Sequence, residues 1–361
     1  MSKIIPIALA ALILLGVTAC GQPSLPEGHL SRALTFLPNN ASEFMYIDWA
    51  LIKKYKDVAD LTSRSDMEKR REFMLSIGKD QAGASGYALA RFFQHAEAWG
   101  WDSTDLIWET MLMYDGAPPA YVLRLRDDFD TTAIVRRFDE RGFTQSQHNG
   151  ATIYSHEMDL TADWLRLTEF GILNTAVVAD EKTLVLSTSI DNVKAIVDAY
   201  RDQSRSSGGE TAFQAIADRL GEVAAAALSR AEVVCRSLNE ANISAQTEAV
   251  KAILGPARAL HAYQAFGIGY RYENEKPIGL LVFHYANAAD AQADLDARRR
   301  LADEATSLST RQPYSVALFT LNQALVDGSD LTLQVSPVND LPRRLFDMVR
   351  RRDVIFAVCP Q

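Results

Sequence analysis

The chain has 361 residues, of which 48% are hydrophobic and 23% are charged, and its formal net charge at pH 7 is −9. These proportions are typical of a globular protein that is long enough for one large domain or two ordinary ones. The acidic balance argues against a nucleic-acid partner and against general adsorption to anionic lipid.

The first twenty residues predict a secretory signal peptide. Lys3 is the only charged residue before Cys20, and an almost wholly apolar run occupies 4–17. A basic start, an apolar core of this length and small residues before a boundary are typical of secretion signals. A membrane span, by contrast, needs about 20 apolar residues.

The segment ends in Val17-Thr18-Ala19-Cys20. This ending resembles the bacterial lipobox, in which the signal is cut just before the cysteine and the thiol receives a diacylglycerol. The resemblance implies that residues 1–19 are removed and that Cys20 carries a lipid anchor, with palmitate among its acyl chains. The alternatives are an ordinary secretory signal, or an uncleaved anchor with a cysteine there by chance.

Residues 20–30 form a predicted tether between the anchor and the folded part. Ten extended residues reach at most about 35 Å, so we expect the folded part to lie close to a membrane surface. Gly21 follows the cysteine. In Gram-negative lipoproteins an Asp at this position tends to retain the protein in the inner membrane, so the Gly favours the outer membrane if the host has one.

Residues 31–202 have the mixed pattern of an α+β unit. The alternation of apolar and polar residues in SEFMYIDWA predicts a strand. Asn149-Gly150 is the dipeptide that favours a type I′ hairpin turn. Ser189 is placed to cap a helix over 190–200, whose apolar residues share one face.

The order of elements then repeats. Residues 203–210 are polar and rich in Gly and Ser, which predicts a linker. In 211–361 the strands, hairpins and helices follow one another as they do in 31–202, and this indicates a duplication. The predicted fold is α+β, with two similar halves, each an antiparallel sheet with helices packed on one face.

Several stretches of the first half resemble a family of uncharacterised bacterial envelope proteins, many of them lipoproteins with duplicated α+β halves. The stretches are FLPNNASEFMYIDWALIK, GWDSTDLIW, AYVLRLRDDFDTTAIVRRF and NGATIY. The resemblance covers about 36–200, and the second half matches only in the order of its elements. It implies no catalytic residues, because the family has none that are agreed.

Two cysteines remain beside Cys20. Cys235 and Cys359 lie in the apolar, strand-like runs AEVVCRSL and VIFAVCPQ. A pair of cysteines in an exported chain favours a disulfide. The alternative is two buried thiols that act as small apolar side chains.

The sequence contains none of the common catalytic or cofactor motifs. Its six histidines are scattered, and none has the spacing of a zinc site. There is no nucleophile elbow and no Gly-rich phosphate loop. We therefore predict no catalytic residue, no metal and no cofactor, and the chain is not expected to be an enzyme.

Two groups of residues are candidates for binding. Aromatic residues gather at Trp99, Trp101 and Trp108, where they form either a ligand-facing surface or, more commonly, part of the core. Arginines on one side of a predicted C-terminal helix either face lipid headgroups or form a solvated helix surface. They are Arg343, Arg344, Arg350 and Arg351.

These observations predict an extracytoplasmic, lipid-anchored envelope protein with a non-catalytic binding or scaffolding role. The first alternative is a solute- or lipid-binding lipoprotein with a cleft between its halves. The second is a hydrolase whose site is assembled through space. The expected partners are the membrane, through the lipid, and either another envelope protein or a small apolar or sugar ligand.

Overall fold

The structure of the chain is a computed structural model that describes residues 28–81, 92–157, 173–202, 211–255 and 260–359. The signal segment, Cys20, most of the tether and the linker at 203–210 lie outside these ranges. The boundaries predicted for those segments therefore stay predictions.

Twelve strands of the described chain form one antiparallel sheet. The strands are β1 (Glu43–Asp48), β2 (Leu106–Tyr114), β3 (Ala117–Leu125), β4 (Thr144–His148), β5 (Ala151–Ser155), β6 (Asn174–Val178), β7 (Thr183–Ser187), β8 (Ala225–Arg230), β9 (Tyr263–Glu273), β10 (Lys276–Tyr285), β11 (Phe319–Asp327) and β12 (Asp330–Pro337). Their order across the sheet is β11-β12-β10-β9-β8-β1-β2-β3-β7-β6-β5-β4.

This order contains the same five-strand arrangement twice. From the centre outward, the first half runs β1-β2-β3-β7-β6 and the second half runs β8-β9-β10-β12-β11. The first half adds the hairpin β4–β5 at its outer edge. The α+β class and the two halves are confirmed, and the structure adds that they are joined edge to edge, because β1 pairs with β8 in antiparallel register from Glu43–Ser229 to Ile47–Ala225.

Eleven α-helices of the described chain pack on this sheet. They are α1 (His29–Leu34), α2 (Trp49–Tyr55), α3 (Met67–Gln81), α4 (Phe92–Trp99), α5 (Thr132–Glu140), α6 (Ile190–Arg201), α7 (Thr211–Leu220), α8 (Ala231–Leu254), α9 (Ala288–Glu304), α10 (Tyr314–Ala317) and α11 (Arg343–Arg350).

Helices cover both faces of the sheet, whereas the sequence predicted helices on one face of each half. The broad face carries α2–α5 and α8–α11, and its core includes Ile47, Trp49 and Leu123. The narrow face carries α1, α6 and α7, and its core includes Phe44 and Tyr46. Successive residues of a strand point to opposite faces, so β1 supplies apolar side chains to both cores.

Two predicted strands are helical or irregular in the structure. The run that contains Cys235 lies in α8, and the strand before it is the Ala-rich segment at 225–230. The run that contains Cys359 includes a turn of 3₁₀-helix at Ile355–Ala357. Short apolar runs fit a buried helix as well as a buried strand, which is why the pattern misassigned them.

Candidate functional site

A groove of about 730 Å³ opens at the junction of the two halves. The first half contributes the start of α1, the end of β1 and the first turns of α2. The second half contributes the end of α7 and the turn that leads to β8. The polar residues of the lining are His29, Ser31, Tyr46, Asp48, Lys54, Asp218 and Glu222.

Asp48 organises the inner wall of the groove. Its Oδ1 accepts a hydrogen bond from the backbone N–H of Leu51 at 2.7 Å, so the side chain caps α2. Its Oδ2 accepts hydrogen bonds from the Tyr46 hydroxyl at 2.9 Å and from Nδ1 of His29 at 2.8 Å. Three donors therefore satisfy a carboxylate that is only 8% exposed.

The environment of Asp48 changes the pKa of its two side-chain partners. The hydrogen bond to Asp48 raises the pKa of His29 above 6.5 and outweighs the opposing effect of burial. Burial, followed by the charge and hydrogen bond of Asp48, raises the pKa of Tyr46 well above its usual range. Tyr46 therefore stays a hydrogen-bond donor, and His29 becomes positively charged more readily than an isolated histidine.

The second half supplies the outer acidic wall. Nε2 of Gln214 donates to Ser31 Oγ at 3.0 Å and to Asp218 Oδ1 at 2.7 Å, which links α7 to α1. Asp218 and Glu222 are exposed. The charge of Glu222 also acts to raise the pKa of His29, which places this carboxylate within electrostatic reach of the histidine.

The lining is acidic on balance. Three carboxylates, Asp48, Asp218 and Glu222, face two basic side chains, Lys54 and His29. A concave site with this balance suits a small polar ligand that carries a cationic group or several hydrogen-bond donors. His29 is suited to contact such a ligand, since its side chain is 47% exposed and only its Nδ1 is bonded to Asp48.

The pair of His29 and Asp48 has the geometry of a general base and the carboxylate that orients it. Ser31 also lines the groove, but it follows His29 by two positions on α1, so the two side chains point about 200° apart. No hydroxyl of a described residue hydrogen-bonds to His29. No group of three or more His, Cys, Asp and Glu residues in the described ranges could hold a metal.

The three tryptophans predicted as ligand-facing lie in the two cores. Trp99 and Trp101 are 3% and 1% exposed on the broad face. Trp108 is 1% exposed on the narrow face, where its ring lies 6.0 Å from that of Phe36. They do not line one surface, and none of them lines the groove. The structure thus favours the core interpretation.

The four arginines predicted to face headgroups do not act as one patch. Arg343, Arg344 and Arg351 line a small cleft beside α11. Arg350 is not among the lining residues, and its Nη2 donates to Oδ1 of Asp347 at 2.9 Å.

Cys235 and Cys359 form a disulfide, with a Cα–Cα distance of 5.6 Å. The bond joins α8 to the C-terminal segment across 124 residues of sequence. Both partners belong to the second half, and neither lies in the groove.

Comparisons with known proteins give no assignment. No protein-family model and no curated protein matches the sequence. The chain is similar to the solved structure of TP0453 in crystal form I, at 9% identity and a TM-score of 0.39, over 89% of this chain and 97% of that one. Crystal forms III and IV of TP0453 give TM-scores of 0.37 and 0.36, also at 9% identity. Similarity at this level identifies neither the fold family nor the function. Within the described residues, no helix has both the length and the apolar character that a membrane span requires.

One alternative predicted from the sequence included a cleft between the halves, but the sequence did not identify the residues that line the groove. The polar residues of its lining come from α1, β1, α2, α7 and the turn after α7, and they belong to no recognisable motif. One signal was present: Asp48 ends a predicted strand just before a run with helical spacing, which is a capping position. The capping role does not by itself reveal the pairing with His29, nineteen residues earlier.

Proposed function

We propose that this protein is a lipid-anchored component of the bacterial envelope that binds a small cationic or amine-bearing polar ligand in the groove between its halves. The proposal follows the first alternative predicted from the sequence, a solute- or lipid-binding lipoprotein with a cleft between its halves, but places the ligand in the polar groove instead of at the tryptophans. The groove carries the proposal, because it is the place where polar side chains of both halves converge on an open concave surface.

Two independent features support an extracytoplasmic location. The first is the run that ends in Val17-Thr18-Ala19-Cys20, which resembles a lipobox. The second is the disulfide between Cys235 and Cys359. Disulfides persist in exported proteins and are rare in a reducing cytoplasm.

The position of the groove fits an anchored protein. Gly28 lines the groove and lies eight residues after Cys20. Eight extended residues span at most about 29 Å. A ligand in the groove would therefore be held within a short distance of the membrane that carries the lipid.

The charge of the groove defines the ligand class. A ligand with an ammonium or guanidinium group would meet Asp218 and Glu222 at the outer wall, where both carboxylates are exposed. Hydrogen-bond acceptors of the same ligand would contact His29 or Lys54. Charge-assisted hydrogen bonds of this kind are roughly twice as strong as neutral ones.

The anchor is tested by the intact mass of the protein extracted from its native membrane. A mass that equals residues 20–361 plus a diacylglycerol and acyl chains is expected. A mass that equals an unmodified chain would contradict the anchor, although it would leave the groove intact as a binding site.

The ligand is tested by native mass spectrometry of the same material in a mild detergent. We expect a small molecule to co-purify with the wild-type chain and to be lost from the double variant Asp218→Asn/Glu222→Gln. These residues are exposed, so the change should leave the fold unaffected. Asp48 is not suitable for this test because it also caps α2.

A matched control removes two carboxylates elsewhere. Glu72 and Asp303 are exposed and lie outside the groove, so Glu72→Gln/Asp303→Asn should retain the ligand. Equal retention by both double variants, or no bound molecule in any of them, would remove the support for the groove and leave scaffolding as the remaining role.

A further inference from the structure

A second cleft, of about 150 Å³, lies beside α11 and is distinct from the groove. Arg343, Arg344, Asp347 and Arg351 line one side of it. These positions recur at nearly every turn of α11, so their side chains share one face of the helix. The opposite side is formed by Ser309, Thr310, Ala317 and Leu318.

The arginines of this cleft are short of acceptors. The guanidinium groups of Arg343 and Arg351 make no ion pair or hydrogen bond with another residue in the part of the chain that the structure describes. Arg344 donates from Nη1 to the carbonyl oxygen of Ala317, but its buried Nε has no acceptor among the described residues. A buried donor without an acceptor is costly, and proteins usually satisfy it with a water, an ion or a ligand.

The one carboxylate of the cleft does not balance these charges. Asp347 is already bound by Arg350, at 2.9 Å, from outside the cleft. Three guanidinium groups therefore face a single carboxylate that is engaged elsewhere. The cleft is small and strongly positive, although the chain as a whole is acidic.

The opposite wall adds one hydroxyl donor. Ser309 donates its hydroxyl hydrogen to Asp353 at 2.6 Å, so it has none left for a ligand. The Thr310 hydroxyl only accepts a bond, from the Gln312 N–H at 3.4 Å, and keeps its hydrogen. Three arginines and one hydroxyl around a small volume match a tetrahedral oxyanion, since guanidinium groups bind phosphate through paired hydrogen bonds.

We infer that this cleft is a binding site for a phosphate group. The phosphate belongs either to a soluble phosphate ester or to a lipid headgroup. Val316 is 56% exposed and adjoins Ala317 of the cleft, so an apolar contact is available next to the phosphate site. The inference goes beyond the proposed function, and the two sites share no residue.

The test measures binding of inorganic phosphate to the full chain in a non-ionic detergent, by calorimetry at constant ionic strength. We expect saturable binding to the wild-type chain and an affinity at least about tenfold lower for Arg343→Gln/Arg351→Gln, because two charge-assisted contacts are lost. Arg344 is not mutated in this variant, because its Nη1 donates to the backbone carbonyl oxygen of Ala317. The control Arg136→Gln/Arg299→Gln removes two other exposed arginines, 71% and 49% exposed, and should bind as the wild type does.

Two further probes identify the source of the phosphate. Glycerol 3-phosphate is compared with dihexanoyl phosphatidylglycerol below its micelle concentration. Tighter binding of the lipid supports a headgroup, and equal or weaker binding supports a soluble ester. An absence of saturable binding with all three probes, or equal binding by the wild type and the cleft variant, overturns the inference. The thermal melting temperature without phosphate shows whether the cleft variant is folded.

Discussion

The first half holds its helices to the sheet with a cluster of buried charges, and the second half combines its own buried charges, Arg298, Asp294 and Asp353, with a disulfide. In the first half Lys53 of α2 donates to the carbonyl oxygens of Thr104 and Leu61 at 2.7 and 3.3 Å. Arg70 of α3 binds Asp102, which is fully buried in the turn before β2. Burial lowers the pKa of Lys53.

In the second half Arg298 of α9 is fully buried. Its Nη1 donates to the carbonyl oxygens of Phe356 and Val358 at 2.8 and 2.7 Å. The disulfide between Cys235 and Cys359 fixes the same C-terminal segment to α8. The Tyr263 hydroxyl also donates to the carbonyl oxygen of Ala357 at 2.7 Å. Several contacts therefore fix this one segment, whereas each helix of the first half depends on separate polar contacts.

The difference shows which features the two halves share. Strand order is the same in both halves, but the contacts that fix the helices are not. Strand order is determined by the hairpins and by the apolar pattern, whereas buried charges are local and can change in one half alone. The groove lies where the halves meet, so it depends on both and belongs to neither.

The largest expected effect is the loss of Arg298. Arg298→Ala should lower the free energy of unfolding by about 3–5 kcal/mol, since it leaves two buried carbonyl oxygens and Asp294 without this partner. Urea denaturation measures the change. The exposed neighbour Arg299 is the control, and Arg299→Ala should cost less than about 0.5 kcal/mol.

The corresponding change in the first half should cost less. In Arg70→Ala, Asp102 keeps hydrogen bonds from Thr104 N at 2.8 Å and from the Thr104 hydroxyl, so about 1–3 kcal/mol is expected. Equal costs for Arg70→Ala and Arg298→Ala would show that the two halves fix their helices with comparable strength, and would contradict the larger contribution expected from Arg298.

Removal of the disulfide is expected to have the next largest effect. Cys235→Ser/Cys359→Ser should lower the free energy of unfolding by about 2–4 kcal/mol, because the bond closes a long loop. Urea denaturation of the oxidised and the dithiothreitol-treated wild type should differ by a similar amount. If reduction leaves the stability unchanged, the noncovalent contacts from Arg298 and Tyr263 are sufficient to hold the C-terminal segment.

A smaller effect is expected where α7 approaches the sheet. A Cβ added at Gly267 of β9 would lie 2.3 Å from Cγ2 of Ile216 in α7. Gly267→Ala should therefore cost about 1–3 kcal/mol in urea denaturation. In the first half, the strand that corresponds to β9 is β2, which contains no glycine and presents Trp108 and Leu112 to the same face.

A double-mutant cycle is the control for this explanation. Ile216→Ala creates space at the contact, so the added cost of Gly267→Ala in that background should be small. If Gly267→Ala costs as much in the Ile216→Ala background as in the wild type, the glycine is required for the backbone of β9 and not for the approach of α7.

Local signals of the sequence predicted local structure well. Asn149 and Gly150 have φ angles of 43° and 78°, as a type I′ turn requires, and they connect β4 to β5. Ser189 accepts a hydrogen bond from Asn192 N at 3.3 Å and caps α6. In each case the residue type alone restricts the backbone within four positions.

Features that depend on distant residues could not be predicted. The pairing of β1 with β8 joins segments about 180 residues apart, and no short-range pattern specifies it. Strand β8 is AAALSR, whose alanines favour a helix, and its position between β1 and β9 overrides that preference. The groove depends on this pairing, because the pairing brings α7 next to α1.

The smallest expected effect concerns His29 and the pH dependence of stability. The hydrogen bond to Asp48 raises the pKa of His29 above 6.5, so folding favours the protonated ring. The stabilisation is therefore complete below pH 6.5 and is lost as the pH rises through the raised pKa. Because the side chain is 47% exposed, the contribution should stay below about 1 kcal/mol.

Urea denaturation of the wild type and of His29→Gln, at pH 5.5 and pH 9, measures this contribution. The wild type should be the more stable chain at pH 5.5, and the difference should shrink at pH 9. His261→Gln is the matched change in the second half, since a hydrogen bond to Asp294 also raises the pKa of His261. His261→Gln should change the pH dependence of stability in the same direction as His29→Gln. It should leave ligand binding unchanged, because His261 is outside the groove. A pH-independent difference for His29→Gln would mean that the ring acts through packing and that its pairing with Asp48 contributes no charge effect to the junction of the halves.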